Sequence, residues 1–379
     1  MKRLNFISSA QLDSSKPDQV IPEPMSVPEL AARRAVNWPH VWAYIGLSFG
    51  LAWLVDLVLY LNGGLTHPSA TLMLPFQMLM PALAAMLLGM FFFKESPIYY
   101  KTNRTASLWF IYYYYLMTFA YLVAVVVGSI QPALSTTLNG YLLIFSVIGL
   151  LLLGVLRWRG GPQSFAGAGM AFGKIRIWLL YGLAMVLFYG LETLLNYVFK
   201  FGTLVDATKL YPAGTTASIP PMALLASTIF SVIIVGPILG LIITFGEEYG
   251  WRGYLQSELV HLGRVRGVGL LGIIWGVWHW PIIWMGYNYP GQPVLGPLLM
   301  TGYTVVLSYF LAYAVFKSKG VWTAAYLHAL NNQALSFFLV AVVTPVSIVM
   351  SFGMGIPALV LCALVVLLLL RDPIWKETD

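Results

Sequence analysis

Apolar residues in this chain gather in continuous blocks of about twenty. A helix of that length crosses a hydrocarbon core of ~30 Å. Barrel strands would instead show short alternating runs. The pattern predicts an all-α fold, a polytopic transmembrane helical bundle of about ten spans. They fall at roughly 41–62, 70–93, 107–130, 136–156, 177–199, 222–246, 267–287, 295–316, 321–343 and 347–370.

Composition removes the soluble alternative that 379 residues would otherwise allow. Only 9% of residues are charged, against ~25% in a soluble protein, and mean hydropathy is +0.79. The net charge of +7 would suggest nucleic acid in another setting, but its distribution argues for membrane topology and no nucleic-acid partner. With a cytoplasmic N-terminus, the ten spans put all but two of the 21 Lys and Arg residues on the inner side; Lys200 and Lys209 lie outside. The positive-inside rule therefore predicts both termini in the cytoplasm. Trp38, Trp42, Trp109, Trp158, Trp178, Trp322 and Trp375 lie near the same inner boundaries, where indoles anchor a bundle. The protein is expected in the plasma (inner) membrane if bacterial. No signal peptide is visible, so the first span is expected to be retained.

The chain divides into four parts. Residues 1–40 form a cytoplasmic tail with a short interfacial helix opened by Ser26 and Glu29, spaced as a capping box. Residues 41–221 hold spans one to five and a Pro-containing outer loop at 200–221, a connector rather than a lid. Residues 222–370 hold spans six to ten and the chemistry, and 371–379 form the inner C-terminal tail. Cys362 is the only cysteine, which excludes an internal disulfide and a Cys-ligated metal and leaves it a packing residue.

Ionisable groups inside a membrane are functional candidates by default. Asp56 and Glu192 stand alone and read as protonated or hydrogen-bonded structural acids, with Asn196 at i+4 as a partner for Glu192. Span six closes on Gly246-Glu247-Glu248-Tyr249-Gly250-Trp251-Arg252. Glu248 and Arg252 share a helical face at i and i+4, while Glu247 turns about 100° away. Arg252 thus neutralises and positions Glu248, and Glu247 is left to act as a base. Span seven carries Trp275 and His279 on one face, with His279 roughly 18 Å deep at ~1.5 Å per residue. Span nine carries His328-Ala-Leu-Asn331-Asn332, with His328 and Asn332 on one face.

Two schemes fit these residues. In one, Glu247 and His279 activate a water while His328 and Asn332 donate hydrogen bonds to the oxyanion of a scissile carbonyl. In the other, Glu247, His279 and His328 bind Zn²⁺, which activates the water. His-Glu-x-x-His is absent, so spacing alone does not establish a metal; no cofactor is certain, and Zn²⁺ stays open. Trp251, Trp275, Trp278 and Trp280 supply an apolar wall for a hydrophobic peptide or lipid.

In order, Glu247-Glu248-x-x-x-Arg252, Trp275-x-x-x-His279 and His328-x-x-x-Asn332 resemble the motifs of the CAAX protease and bacteriocin-processing family of intramembrane endopeptidases, which includes the Ras-converting enzyme. The resemblance covers about 220–343. It implies Glu247 and His279 as water activators, His328 and Asn332 as the oxyanion site, and Glu248 and Arg252 as supporting residues. The implied substrate is a peptide, or a lipidated peptide, cleaved near its hydrophobic end from the cytoplasmic side. Trp275 stands where the family commonly has Phe, and the family core has about eight spans, so the extra N-terminal spans have no counterpart. Two other classes stay open: a non-proteolytic scaffold or bacteriocin-immunity protein on the same fold, which would have no need of Glu247, and a proton- or ion-coupled transporter using Asp56, Glu192 and the Glu247–Glu248 pair. The oligomeric state is not legible.

Overall fold

A backbone crossing hydrocarbon must satisfy its own N–H and C=O groups, and the apolar blocks of this chain accordingly fold as helices. The structure is a computed structural model and describes residues 35–101, 105–205 and 220–377. Residues 1–34 of the expected N-terminal tail, with the interfacial helix opened by Ser26, and most of the outer loop (206–219) lie outside the described residues.

The first half comprises α1 (Trp38–Leu61), α2 (Ala70–Met78), α3 (Met80–Leu87), α4 (Ala106–Ile130), α5 (Ser135–Ala166) and α6 (Ile175–Val198). The second half comprises α7 (Pro221–Phe230), α8 (Gly236–Leu239), α9 (Leu241–Glu248), α10 (Gln256–Leu259), α11 (Arg264–Trp278), α12 (Trp280–Trp284), α13 (Leu295–Ser318), α14 (Val321–Ser336) and α15 (Ile356–Leu369). Among the described residues, seven helical stretches are long and apolar enough to cross a membrane, α2 with α3 and α7 with α8 each counting as one. Three segments that hydropathy reads as full spans are shorter: α11 has 15 residues, α14 has 16 and α15 has 14.

The reasons are local. Pro281 has no N–H to continue the ladder, so the segment expected at 267–287 breaks at His279 between α11 and α12. Span six does not stop at 246: after α9 the chain continues through a wider π-turn at Tyr249–Leu255. A second π-turn, Phe337–Val342, follows α14. It leads into a short strand that hydropathy gave no sign of. β1 (Gly202–Leu204) and β2 (Val343–Pro345) pair antiparallel with Thr203 opposite Thr344, tying the end of α6 to the end of α14.

Glycines draw the helices that carry the candidate site together. Gly246 and Gly250 have small-xxx-small spacing, which allows backbones to touch. A Cβ on Gly246 would lie 2.5 Å from the Met78 carbonyl, and one on Gly250 2.5 Å from Pro81 of α3. Gly272 and Gly276 do the same for α11 on α13, where a Cβ would lie 2.6 Å from the Cα of Val305 or Thr301. Thr304 Oγ1 then donates to the Gly272 carbonyl at 3.0 Å. Thr244 Oγ1 donates to the Ala325 carbonyl at 2.8 Å, and Phe245 stacks on Trp322 with ring centres 4.1 Å apart, joining α9 to α14.

That stacking corrects one expectation: Trp322 is fully buried rather than interfacial. Trp375 is likewise buried, stacked on Tyr313 where the C-terminal turn folds back. There Asp372 meets Lys317 Nζ at 2.6 Å and accepts from the Tyr313 hydroxyl, while Arg264 donates to the Ile374 carbonyl. Trp42, Trp109 and Trp158 are exposed, as belt residues should be.

Candidate active site

Helical geometry sends the two adjacent carboxylates of α9 to different partners. Glu248 accepts from Arg252 Nη1 at 3.0 Å, and both side chains are fully buried. It also accepts from His328 Nδ1 at 2.8 Å on the same Oε1. Arg252 lies 4.2 Å over the ring of Trp275, and its Nη2 donates to Ser308 Oγ at 3.2 Å. A buried ion pair is tolerable only with such added partners, because each charge has lost its water.

Glu247 turns the other way. Its Oε2 accepts from the indole N–H of Trp275 at 2.7 Å and of Trp251 at 3.4 Å. One indole comes from α11 and the other from the π-turn, so the carboxylate is held from two elements. Oε1 is the oxygen left for chemistry. His279, at the break between α11 and α12, donates Nδ1–H to the Trp275 carbonyl at 2.8 Å. A carbonyl only accepts, so the tautomer is set and Nε2 is the free nitrogen.

These groups meet at one cavity of about 80 Å³, large enough for more than one water. Glu247, Trp275, Trp278, His279, His328, Asn331 and Asn332 line it, so all four expected catalytic residues reach the same space. Glu248 and Arg252 stand behind that wall. Of the four tryptophans expected to form the apolar wall, Trp275 and Trp278 do so. Trp251 is buried edge-on between Tyr44 and Trp278 and supports Glu247 instead. Trp280 follows the break at His279 and donates its N–H to Thr301 Oγ1, 3.1 Å away.

The Zn²⁺ scheme finds no matching donor set. Among the described residues, no group of three or more His, Cys, Asp or Glu side chains is placed to hold a metal ion. The two lone acids resolve differently. Asp56 Oδ2 accepts from Gln77 Nε2 at 2.8 Å, a hydrogen-bonded structural acid as expected. Asn196 does not serve Glu192: it clamps Phe352, donating to its carbonyl at 3.1 Å and accepting from its N–H at 2.8 Å. A side-chain amide matches a peptide group on both edges, and that pairing wins.

Residues 228–334 match the family model described as Rce1-like, the type II CAAX prenyl endopeptidase Rce1-like family. These residues form an Rce1-like domain. The matched segment contains all three motifs, from Glu247 to Asn332, and the match supports a CAAX-type membrane protease function in general terms. No curated protein and no solved structure matches the chain. Helices α1 to α6 lie outside the match, yet α2 and α3 back the glutamate-bearing segment of the Rce1-like domain, at Gly246 and Gly250 respectively.

Sequence reasoning missed Ser308, Tyr303 and Tyr189. The hydroxyls of Tyr189 and Tyr303 both reach Asn331 Oδ1, the latter at 2.9 Å. No spacing rule links α6, α13 and α14, so a hydroxyl facing inward in an apolar helix was the only available signal. Beside the site lies an apolar cavity of about 300 Å³ between α6, α13 and α15, bordered by Tyr189, Tyr303, Phe310 and Cys362.

Proposed function

We propose that this protein hydrolyses a peptide bond near the hydrophobic or lipidated end of a membrane-associated peptide, with Glu247 and His279 activating the water. The arrangement that carries the reading is the doubly indole-anchored Glu247 carboxylate, facing a small cavity shared with His279, His328 and Asn332. Fixing one carboxylate oxygen pre-orients the other, which lowers the cost of reaching the reactive geometry.

Water binds between Glu247 Oε1 and His279 Nε2. Glu247 takes its proton as the oxygen attacks the scissile carbonyl carbon. The oxyanion accepts from His328 Nε2–H and Asn332 Nδ2–H. His328 already gives Nδ1–H to Glu248, so it donates from Nε2 only as an imidazolium, which the Glu248 carboxylate stabilises. Collapse breaks the C–N bond, and Glu247 passes the proton to the leaving amine. No metal enters the sequence.

The adjoining apolar cavity of about 300 Å³ suits an aliphatic or prenyl chain. Charge distribution supports a site approached from the cytoplasmic side of a ten-span bundle, with 222–370 as the catalytic part and 41–221 as its backing. The deciding experiment is turnover of a farnesylated Cys-aliphatic-aliphatic-X peptide by detergent-purified Glu247→Gln and His279→Ala proteins. Each should lose activity by roughly 10²–10⁴-fold at unchanged folding. Full activity in Glu247→Gln refutes the reading.

A further inference from the structure

The cavity that holds the four expected catalytic residues also exposes Asn331, the neighbour of Asn332 on α14. Asn331 is 3% exposed, so each of its polar atoms needs a partner inside the protein. Its Oδ1 faces two phenol hydroxyls, Tyr303 at 2.9 Å and Tyr189 closer still, and these hydroxyls are 3.0 Å from each other. Both phenols are themselves buried. With the amide reversed, its NH₂ would donate to the phenol oxygens and leave at least one of the two buried O–H groups without an acceptor, so the pair sets which end of the Asn331 amide points at them. Nδ2 is thereby directed away, and it donates to Asn332 Oδ1 at 3.3 Å.

The consequence falls on Asn332. A free side-chain amide presents a donor or an acceptor with almost equal ease, because its two ends are nearly isosteric. With its Oδ1 engaged by Asn331, Asn332 keeps its NH₂ free for the cavity that it lines. An oxyanion needs donors there, and a carbonyl oxygen in the same place would repel it. We propose that Tyr189 and Tyr303 are positioning residues that, through Asn331, hold the Asn332 amide with its N–H groups facing the reacting carbonyl. The proposal rests on the oxyanion role given to Asn332 above. It also assigns α6, outside the Rce1-like segment, a part in the reaction.

The geometry accounts for the choice of residue types. Two phenols fill both lone pairs of one amide oxygen and offer nothing charged, so the polarity of the relay does not change with pH near neutrality. Phe at either position would keep the ring and its packing while removing the hydroxyl, which makes the relay separable from the core.

The test is a steady-state series on a farnesylated Cys-aliphatic-aliphatic-X peptide with Tyr189→Phe, Tyr303→Phe and the double variant, each alone and with Asn332→Ala. Complete loss of an oxyanion donor costs about 10²–10³-fold in kcat. A donor that is misdirected part of the time costs less, on the order of tenfold for the double variant. KM and the thermal unfolding midpoint should stay put. In the Asn332→Ala background, the Tyr→Phe changes should have no further effect on kcat. A merely structural role would lower kcat in both backgrounds, together with the unfolding midpoint, and would overturn the proposal. So would an unchanged kcat in the double variant while Glu247→Gln is inactive. If Glu247→Gln is itself fully active, the hydrolytic reading fails instead, and the two failures are told apart.

Discussion

Replacing Arg252 by Met tests the electrostatic frame of the site. Arg252 and Glu248 are both fully buried, and their contact is 3.0 Å. Met keeps the unbranched stem and leaves the carboxylate with His328 alone, at 2.8 Å. Removing one member of a buried pair costs ~3–5 kcal/mol, mostly because the surviving charge is stranded. The lost contact with the Trp275 ring adds to this. Replacing both members removes the stranded charge, so Glu248→Gln/Arg252→Met should recover most of the loss and lie within ~1–2 kcal/mol of the parent. The assay is reversible unfolding of all four proteins in mixed micelles, followed by tryptophan fluorescence, with the coupling taken from the cycle. An Arg252→Met protein within about 1 kcal/mol of the parent, or a cycle that is simply additive, refutes the reasoning.

Other expectations follow from the same contacts. Gly276→Ala places a methyl 2.6 Å from the Thr301 Cα and should cost ~1–3 kcal/mol with loss of turnover, whereas Gly46→Ala, with nothing within 4 Å, should be silent in both assays. Lys317, the Ile374 N–H and the Tyr313 hydroxyl hold the Asp372 carboxyl down from 3.8 to about 2. Its folded value lies below its unfolded one, so the stabilisation is complete above pH 4 and is lost as pH falls through about 2. Fluorescence of Trp375, stacked on Tyr313, should report that release, and Asp372→Asn should abolish the transition. Turnover should survive dialysis against EDTA and 1,10-phenanthroline; a loss restored by Zn²⁺ would return the metal scheme to consideration.

The parts of the site visible in the sequence were those carried by helical periodicity. Glu248 and Arg252 meet because i and i+4 share a face, and the same spacing keeps His328 with Asn332 and lets Trp275 receive His279. Hydropathy could not see interruptions, since it averages over windows longer than the defect. Pro281 was readable as a breaker, but the apolar run on both sides of it looked continuous. Pairings between distant helices, such as Tyr189 with Asn331, depend on rotations that no local pattern encodes. Asn196 shows the converse: a sound local partner, Glu192, lost to a peptide group 156 residues away.

The interruptions themselves have a common cause. A polar cavity within a membrane needs backbone and side chains that a regular lipid-facing helix does not offer, and irregular backbone is tolerated where it lines such a cavity. Glu247 and Glu248 precede the π-turn at Tyr249–Leu255, His279 sits at the break before Trp280, and Asn332 lies a turn before the π-turn at Phe337–Val342. The glycine contacts of α9 and α11 supply the compensation, because close backbone packing beside each interruption holds it in one conformation. Filling those contacts should therefore damage catalysis before it unfolds the bundle. At Gly276→Ala, kcat should fall at temperatures well below the unfolding midpoint. If activity and fold are instead lost together, the interruptions are not held independently of the global structure, and the role given to the glycine pairs is wrong.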